Sequence, residues 1–548
     1  MKLTKSYFSY LHNVAQQMKI SFVKKLLFSF SAFILLTFFS EKSFSQPSLS
    51  VVSYQSKDAL ARSTPEAEGV SSESIINFLD AGEKGRTEFH SFMMLRHGKV
   101  IAEGWWSPYA SELKHTMYSC SKSFTATAIG FAVSENRLTV NDKVISFFPN
   151  DLPDTVNAYL SELTVKDLLS MSVGQEPDPT RPIVGMDSNW VKSFLATPIL
   201  YKPGTKFLYN SMATYMLSAI VQKLTGQKVI DYLTPRLFEP LGIEGMDWEV
   251  DPGGINTGGW GLRIKTEDMA KFGQLFLQKG KWNGKQILPA VWVNEASTLK
   301  IIQHPEYSQE KRDSSDWEQG YGYQMWRCRH NAFRGDGAFG QFIIVMPDQD
   351  AVIAITAETP SMQEEINLVW KYLLPAMQTN KLPVNKSIAV SLQQKLSLLA
   401  VPLPVKTISP KTTKIFNKTF LLEPNEKNIQ SLSFNIDDNK CDVNLEVNNK
   451  VYQLRFGAGM WQMGETTRRG PYLVAGAKAS YVGLPPLKVA GAYSWKDEHT
   501  VELTLRYIES PHTEKMICHV DGSNISIEIE NSFDYGKKKL QLKGVVKE

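Results

Sequence analysis

The chain's chemistry starts from a serine and a lysine one helical turn apart. In Ser119-Cys120-Ser121-Lys122 the spacing brings a hydroxyl and an amine to one face of a helix, within reach of each other. A lysine kept neutral by burial or by a neighbouring cation can take the serine proton, and the alkoxide can attack an ester or amide carbonyl. The spacing alone is common: it recurs at Ser21–Lys24, Ser111–Lys114, Ser297–Lys300 and Ser308–Lys311. What sets Ser119 apart is context. It follows Thr116-Met117-Tyr118 and opens a small, apolar stretch from Phe124 to Gly130, as the start of a buried helix would. A helix start offers backbone N–H groups and the positive end of the dipole to a developing oxyanion.

Two later segments add to this pair. The first, Pro203-Gly204-Thr205-Lys206-Phe207-Leu208-Tyr209-Asn210-Ser211, leads into an amphipathic helix. A tyrosine held near a lysine can shuttle a proton, because the positive charge favours its ionised form. Asn210 or Ser211 can donate to a substrate or hold the lysine. The second segment is Arg334-Gly335-Asp336-Gly337-Ala338-Phe339-Gly340-Gln341, running into a strand. Glycines at a strand edge let a substrate approach the backbone, and one N–H here can complete an oxyanion hole with that of Ser119. The same stretch matches G-x-G-x-x-G, but a dinucleotide site needs a helix to follow and a strand follows instead. There is no G-x-S-x-G, H-E-x-x-H or P-loop, and no cysteine pair has C-x-x-C spacing. No metal and no cofactor are expected.

In their order, Ser119-Cys120-Ser121-Lys122, Tyr209-Asn210-Ser211 and Gly337-Ala338-Phe339-Gly340-Gln341 resemble the β-lactamase-related serine hydrolases, the group of class C β-lactamases, penicillin-binding esterases and 6-aminohexanoate-dimer hydrolases. Leu163 to Met171, Gly259-Trp260-Gly261-Leu262 and Asp268 to Gly273 look like that family too, so the resemblance runs over about 60–380. It implies Ser119 as the acylated nucleophile, Lys122 as general base, Tyr209 as partner in proton transfer, and the N–H groups of Ser119 and Ala338 as oxyanion hole. Asn210, Ser211, Gly337 and Gln341 would line the substrate site. Two departures bear on the substrate. The second motif of the family usually ends in Asn, where Ser211 stands; the third often begins with Lys or His, where Gly335 stands. A β-lactam carboxylate wants a cation there, and Arg334 lies one register away. Ser211 and Gln341 look like the dimer-hydrolase and esterase branch. The expected substrate is therefore a small amide or ester rather than a β-lactam. The alternative is a non-catalytic binding or sensing relative.

The elements that must position these groups can be read coarsely. A helix is expected from Ser71, with Ile75, Ile76 and Leu79 buried, and then a hairpin with Phe92 to Leu95, the turn His97-Gly98 and Val100 to Trp106. Helices and loops fill about 140–300. Strands return at Gln341 to Met346 and Ala351 to Thr356, and a helix at Ile366 to Met377 closes the region. This is an α/β (α+β) domain, a sheet flanked by helices with a helical insert, and the resemblance makes it β-lactamase/transpeptidase-like. From about 415 apolar and polar residues alternate, as in Val443, Leu445, Val447 and Ile525, Ile527, Ile529, which marks a separate C-terminal antiparallel β domain. The expected divisions are 1–45 signal segment, 46–385 hydrolase domain, 386–414 linker and 415–548 β domain. Trp461, Tyr472 and Trp495 can serve the last as a sugar-stacking face or as core.

Composition narrows the setting. With 60 basic and 56 acidic residues interspersed, net +4, no basic stripe suggests nucleic acid as a partner. Lys24-Lys25, the apolar run Leu26 to Phe39 and the small residues before Gln46 describe a secretory signal cleaved near Ser45, with Met1 or Met18 as start. An uncleaved signal would be the one route to membrane contact. Either form places the domains in the periplasm or outside the cell. There Cys441 and Cys518 can pair as a disulfide or remain two buried thiols; Cys120 and Cys328 are the others.

Overall fold

The computed structural model describes residues 59–186, 189–405, 414–437, 439–478 and 484–548. The expected signal segment lies outside the described residues. Among those described, no helix is long and apolar enough to cross a membrane.

Helix α1 (Ser72–Lys84) precedes the hairpin β1 (Glu88–Arg96) and β2 (Lys99–Trp105), whose turn residues His97 and Gly98 both take positive φ. Strands β3 (Trp326–Arg327), β4 (Phe333–Gly337), β5 (Gln341–Met346) and β6 (Ala351–Glu358) complete a six-stranded antiparallel sheet ordered β2-β1-β6-β5-β4-β3. Its central strands are nearly continuous runs of apolar residues because both faces are covered. Met93, Leu95, Ile343, Val345, Val352 and Ala354 join the core on one side. Their neighbours Phe92, Met94, Phe342, Ile344, Ile353 and Ile355 join a second core under α1. The period of two along each strand thus feeds two separate cores.

The insert carries α2 (Ser121–Ser134), α3 (Ser211–Thr225) and α4 (Thr266–Leu277). Helix α2 is buried on every side from Ser121 to Ala132, as a central helix should be. Gly130 permits this: a Cβ there would lie 2.4 Å from the indole of Trp292. Helix α4 packs on β1, β5 and β6. Lys265 occupies its N-cap, and the Asp268 carboxylate accepts from the Lys265 N–H at 3.1 Å.

The stretch 386–414, expected to be a linker, opens with helix α5 (Lys386–Ser397), which packs on α1 and β2. Leu392, Leu399 and Val401 enter the second core. Only beyond them does a connection begin.

The C-terminal domain is a ten-stranded antiparallel sheet. Its strands in chain order are β7 (Thr419–Leu422), β8 (Ile429–Ile436), β9 (Lys440–Val447), β10 (Lys450–Ala458), β11 (Gln462–Thr466), β12 (Leu487–Asp497), β13 (Thr500–Tyr507), β14 (Thr513–Asp521), β15 (Asn524–Asn531) and β16 (Leu540–Val546). A short parallel contact, Gly457 with Ala492 and Ala458 with Tyr493, joins β10 to β12 and closes the sheet into a barrel. Closure removes the exposed edges of a long sheet. The alternating residues expected from sequence point inward, where they form a third core that includes Val443, Leu445, Ile525 and Ile527. Cys441 and Cys518 stand in this core as buried free thiols. Trp495 belongs to the same core, Tyr472 to the catalytic one, and Trp461 packs against the second, so these rings fill space rather than form a sugar platform.

Candidate active site

Ser119 lies on a single 3-10 turn, Tyr118–Cys120, that runs directly into α2. Lys122 follows in the first turn of that helix and is 1% exposed. Its amine has three oxygen partners: Ser119 Oγ at 3.0 Å, Ser211 Oγ at 3.0 Å and the Gly259 carbonyl at 2.6 Å. All three are neutral groups. Burial therefore dominates, and it pulls the Lys122 pKa down to about 7 against the weaker opposing pull of Asp178 and Asp336. A neutral amine has two N–H donors and one lone pair. Gly259 O and Ser211 Oγ can take the donors, which leaves the lone pair for the Ser119 hydroxyl.

Two packed elements set this geometry. Ser211 is the first residue of α3, and Asn210 is its N-cap: the Asn210 Oδ1 accepts from the N–H groups of Met212 and Ala213 at 2.9 and 3.2 Å. Its amide nitrogen donates to Gln175 Oε1 at 2.9 Å. Asn210 is thus a buried cap. The expectation that it contacts substrate or the lysine is corrected: of the two neighbours, it is Ser211 that bonds the amine. The Gly259 carbonyl comes from a strap between α2 and α3, anchored where Thr125 Oγ1 donates to Gly258 O at 2.9 Å. A Cβ on Gly259 would sit 2.8 Å from Ser211 O. In the sequence this stretch carries only a family likeness; no local signal marks a backbone carbonyl as a lysine's partner.

Tyr209 closes the cluster. Its ring lies under the Lys122 amine, 5.0 Å from centroid to Nζ, and stacks on Trp326 at 5.7 Å. Part of the side chain remains exposed. Desolvation of the phenol nevertheless raises its pKa well above the usual tyrosine value, outweighing a hydrogen bond with Ser119. The expected tilt of Tyr209 towards its ionised form is therefore corrected: desolvation favours the neutral phenol, and the group whose pKa is depressed is Lys122.

The glycine-rich segment forms the tip of the β4–β5 hairpin, with Gly337 ending β4, Ala338 at the tip and Gln341 opening β5. The hairpin is pressed against the Ser119 turn. Cys120 Sγ donates to Gln341 O at 3.0 Å, and a Cβ on Gly337 would meet Met117 O at 2.2 Å, so only glycine permits the approach. Gln341 was expected to touch substrate. Instead its side chain is buried and pins the tip: Nε2 donates to Ala338 O at 3.0 Å and Ala357 O at 2.8 Å. Arg334, the remaining candidate for a substrate cation, is fully buried against Asp336 at 2.8 Å and Asp316 O at 2.9 Å. His115 is also buried, with Nε2 at 3.2 Å from His90 Nδ1.

The structure thus brings Ser119, Lys122, Tyr209 and Ser211 together, sets the Gly337–Ala338 tip beside the Ser119 turn, and engages Asn210 and Gln341 in scaffolding. Among the described residues no cluster of three or more His, Cys, Asp or Glu could hold a metal ion. A serine, a buried lysine and a tyrosine on a helical insert facing an antiparallel sheet define a serine hydrolase of the penicillin-recognising kind. The β-lactamase family profile matches residues 79–374, more than half of the chain, and the protein belongs to that family. It is similar to the 6-aminohexanoate-dimer hydrolase of Paenarthrobacter ureafaciens, 27% identical over 289 residues that cover 49% of this chain and 72% of the relative. A solved octameric penicillin-binding protein homologue from Pyrococcus abyssi is 16% identical, with a TM-score of 0.43, covering 86% of this chain and 99% of that one. A D-stereospecific amidohydrolase from Streptomyces sp. is 14% identical with a TM-score of 0.44, over 56% and 99%.

Proposed function

We propose that the protein hydrolyses an amide or ester bond of a small molecule through an acyl-enzyme on Ser119. The observation that carries this reading is the Lys122 amine, buried, 3.0 Å from Ser119 Oγ and bonded only to neutral oxygens. Neutral Lys122 takes the Ser119 proton as Oγ attacks the carbonyl carbon. Negative charge then collects on the carbonyl oxygen, between the backbone N–H groups of Ser119 and Ala338. The neutral phenol of Tyr209 gives its proton to the leaving amine or alkoxide and regains one through Lys122. Water, activated by the same pair, then attacks the ester carbonyl, frees the acid and restores the Ser119 hydroxyl. Nothing in the cycle requires a cofactor.

Amides and esters are favoured over β-lactams because the one arginine near the third motif, Arg334, is already engaged with Asp336 and has no reach to a ligand carboxylate. The likeness to a dimer hydrolase supports the amide branch. The N-terminal pattern supports export to the periplasm or medium, with Gln46 as the first mature residue, which N-terminal sequencing of the exported protein would read.

The deciding experiment is a panel of short-chain p-nitrophenyl esters, linear oligoamides, D-amino-acid amides and a chromogenic cephalosporin. It runs wild type beside Ser119→Ala, with fluorophosphonate labelling of both. Turnover that survives Ser119→Ala, or a folded wild type that is not labelled at Ser119, overturns the reading.

A further inference from the structure

Two bulky residues beside the site carry positive φ. Tyr118, immediately before Ser119, is at 44°, and Phe339, immediately after Ala338, is at 67°. An aromatic side chain holds this backbone only where its surroundings over-determine it. Both side chains meet one group, and it comes from the C-terminal barrel.

His512 lies in the connection between β13 and β14 and is fully buried. Its Nε2 is 2.6 Å from the Tyr118 hydroxyl and its Nδ1 is 2.9 Å from Glu358 Oε1, at the end of β6. A carboxylate only accepts, so Nδ1 carries a proton towards Glu358, and in that tautomer of the neutral ring Nε2 accepts from the Tyr118 O–H. Ser532 Oγ, also from the C-terminal domain, donates to the same Glu358 oxygen at 2.8 Å. The His512 ring stands edge-on to Phe339, centroids 4.7 Å apart at 89°. Phe533 packs on Phe339 at 5.6 Å.

Further contacts from the same domain converge on the turn. Tyr472 stacks on Tyr118 at 5.3 Å, and its hydroxyl donates to Glu249 Oε1 at 2.6 Å. The N–H and hydroxyl of Thr116 both donate to Glu509 O, at 2.9 and 3.0 Å.

We propose that His512 is a positioning residue for acylation. By gripping the Tyr118 hydroxyl and the Phe339 ring at once, it sets the spacing between the Ser119 and Ala338 N–H groups, and so makes the barrel part of the active site. This rests on the reading of those two N–H groups as the oxyanion hole. Donors of that kind act only when held at the oxygen they stabilise, so a small displacement is read in rate rather than in binding.

The test uses the full chain and p-nitrophenyl acetate under burst conditions, with Tyr118→Phe, His512→Gln and His512→Ala beside wild type. The burst amplitude counts folded, competent sites and the burst rate reports acylation per site. The expected result is an acylation rate per site lower by on the order of tenfold to a hundredfold in Tyr118→Phe and His512→Ala, with KM within about threefold. His512→Gln, whose amide can still bond the phenol, should recover part of the loss. A merely structural histidine would lower amplitude alone. The proposal is overturned if the rate per site in Tyr118→Phe stays within about twofold of wild type. That variant keeps the ring and decides the matter even if the His512 variants do not fold. A wild type that shows no burst and no label at Ser119 sinks the underlying reading instead, so the two failures are told apart.

Discussion

Two Ser-x-x-Lys pairs stand close together along the chain and have opposite fates. In Ser111–Lys114 the amine ion-pairs with Asp247, a carboxylate already shared with Arg263 at 2.6 Å, and Ser111 is exposed. In Ser119–Lys122 the amine is more deeply buried and meets two hydroxyls and a carbonyl instead. The other described repeats follow the first pattern or a plainer one. Lys300 pairs with Glu295 at 2.7 Å, and Ser308 merely caps a short helix through the Lys311 N–H. Spacing along a helix puts a serine near a lysine; the partner across the fold decides whether that lysine is a cation or a base. A carboxylate holds the proton on, whereas burial among neutral oxygens pushes it off.

The largest expected effect tests this contrast directly. Lys122→Ala or Ser119→Ala should lower kcat by on the order of 10³-fold or more, since proton transfer and nucleophile are lost outright. Lys114→Ala should change kcat/KM by less than about threefold in steady-state assays, because it removes only a structural ion pair. A comparable collapse at Lys114 would erase the distinction.

The contrast can also be converted. Ser211→Asp places a carboxylate where Lys122 now meets a hydroxyl, and so copies the Lys114 environment. Wild-type activity should rise with pH through about 7, the Lys122 value, because the neutral amine is the working form. In Ser211→Asp that limb should move up by about one to three pH units, with activity at neutral pH falling by roughly the same number of decades. An unmoved profile would mean that the limb belongs to another group.

Stability carries the same signature. The folded pKa of Lys122 is about 7 and the ordinary value 10.5. Between these, the unfolded chain binds a proton that the folded one does not, so unfolding free energy climbs as pH rises through that window. The slope from this residue is at most about 1.4 kcal/mol per pH unit. Lys122→Met should lack it. Urea midpoints of both proteins at pH 7 and pH 9 read the difference, and equal slopes would place the neutral lysine in doubt.

These contrasts also explain what was legible in sequence. The sheet hairpin, helix α3 and the barrel strands announced themselves because each rests on a local pattern: a turn, helical amphipathicity, alternation. Ser119, Lys122 and Tyr209 were found because motif order restricts them. Partners that arrive from across the fold left no local trace. The Gly259 carbonyl is an ordinary glycine residue in sequence, and His512 lies far along the chain from the Tyr118 it bonds. The same blindness misplaced Asn210, Gln341 and the 386–414 segment. Polar residues near a site look like ligands until the backbone groups that need them are seen, and a weakly patterned helix becomes a helix by docking on α1.

Asn210 supplies the smallest and most selective contrast, with its neighbour Ser211. The two were interchangeable in sequence, yet one caps α3 and the other holds Lys122. Asn210→Ala removes a cap that accepts from two N–H groups and should lower stability by about 1 kcal/mol, or somewhat more given its burial, with kcat little changed once folded protein is counted. Ser211→Ala should do the reverse, leaving the urea midpoint nearly fixed while kcat falls by about tenfold through a less firmly oriented amine. Urea titration and active-site-normalised turnover, run on both variants, separate a residue that builds the helix from one that aims the base. If Asn210→Ala lost rate per site as Ser211→Ala does, the cap would have to be counted as part of the lysine's support, through the position of the first turn of α3.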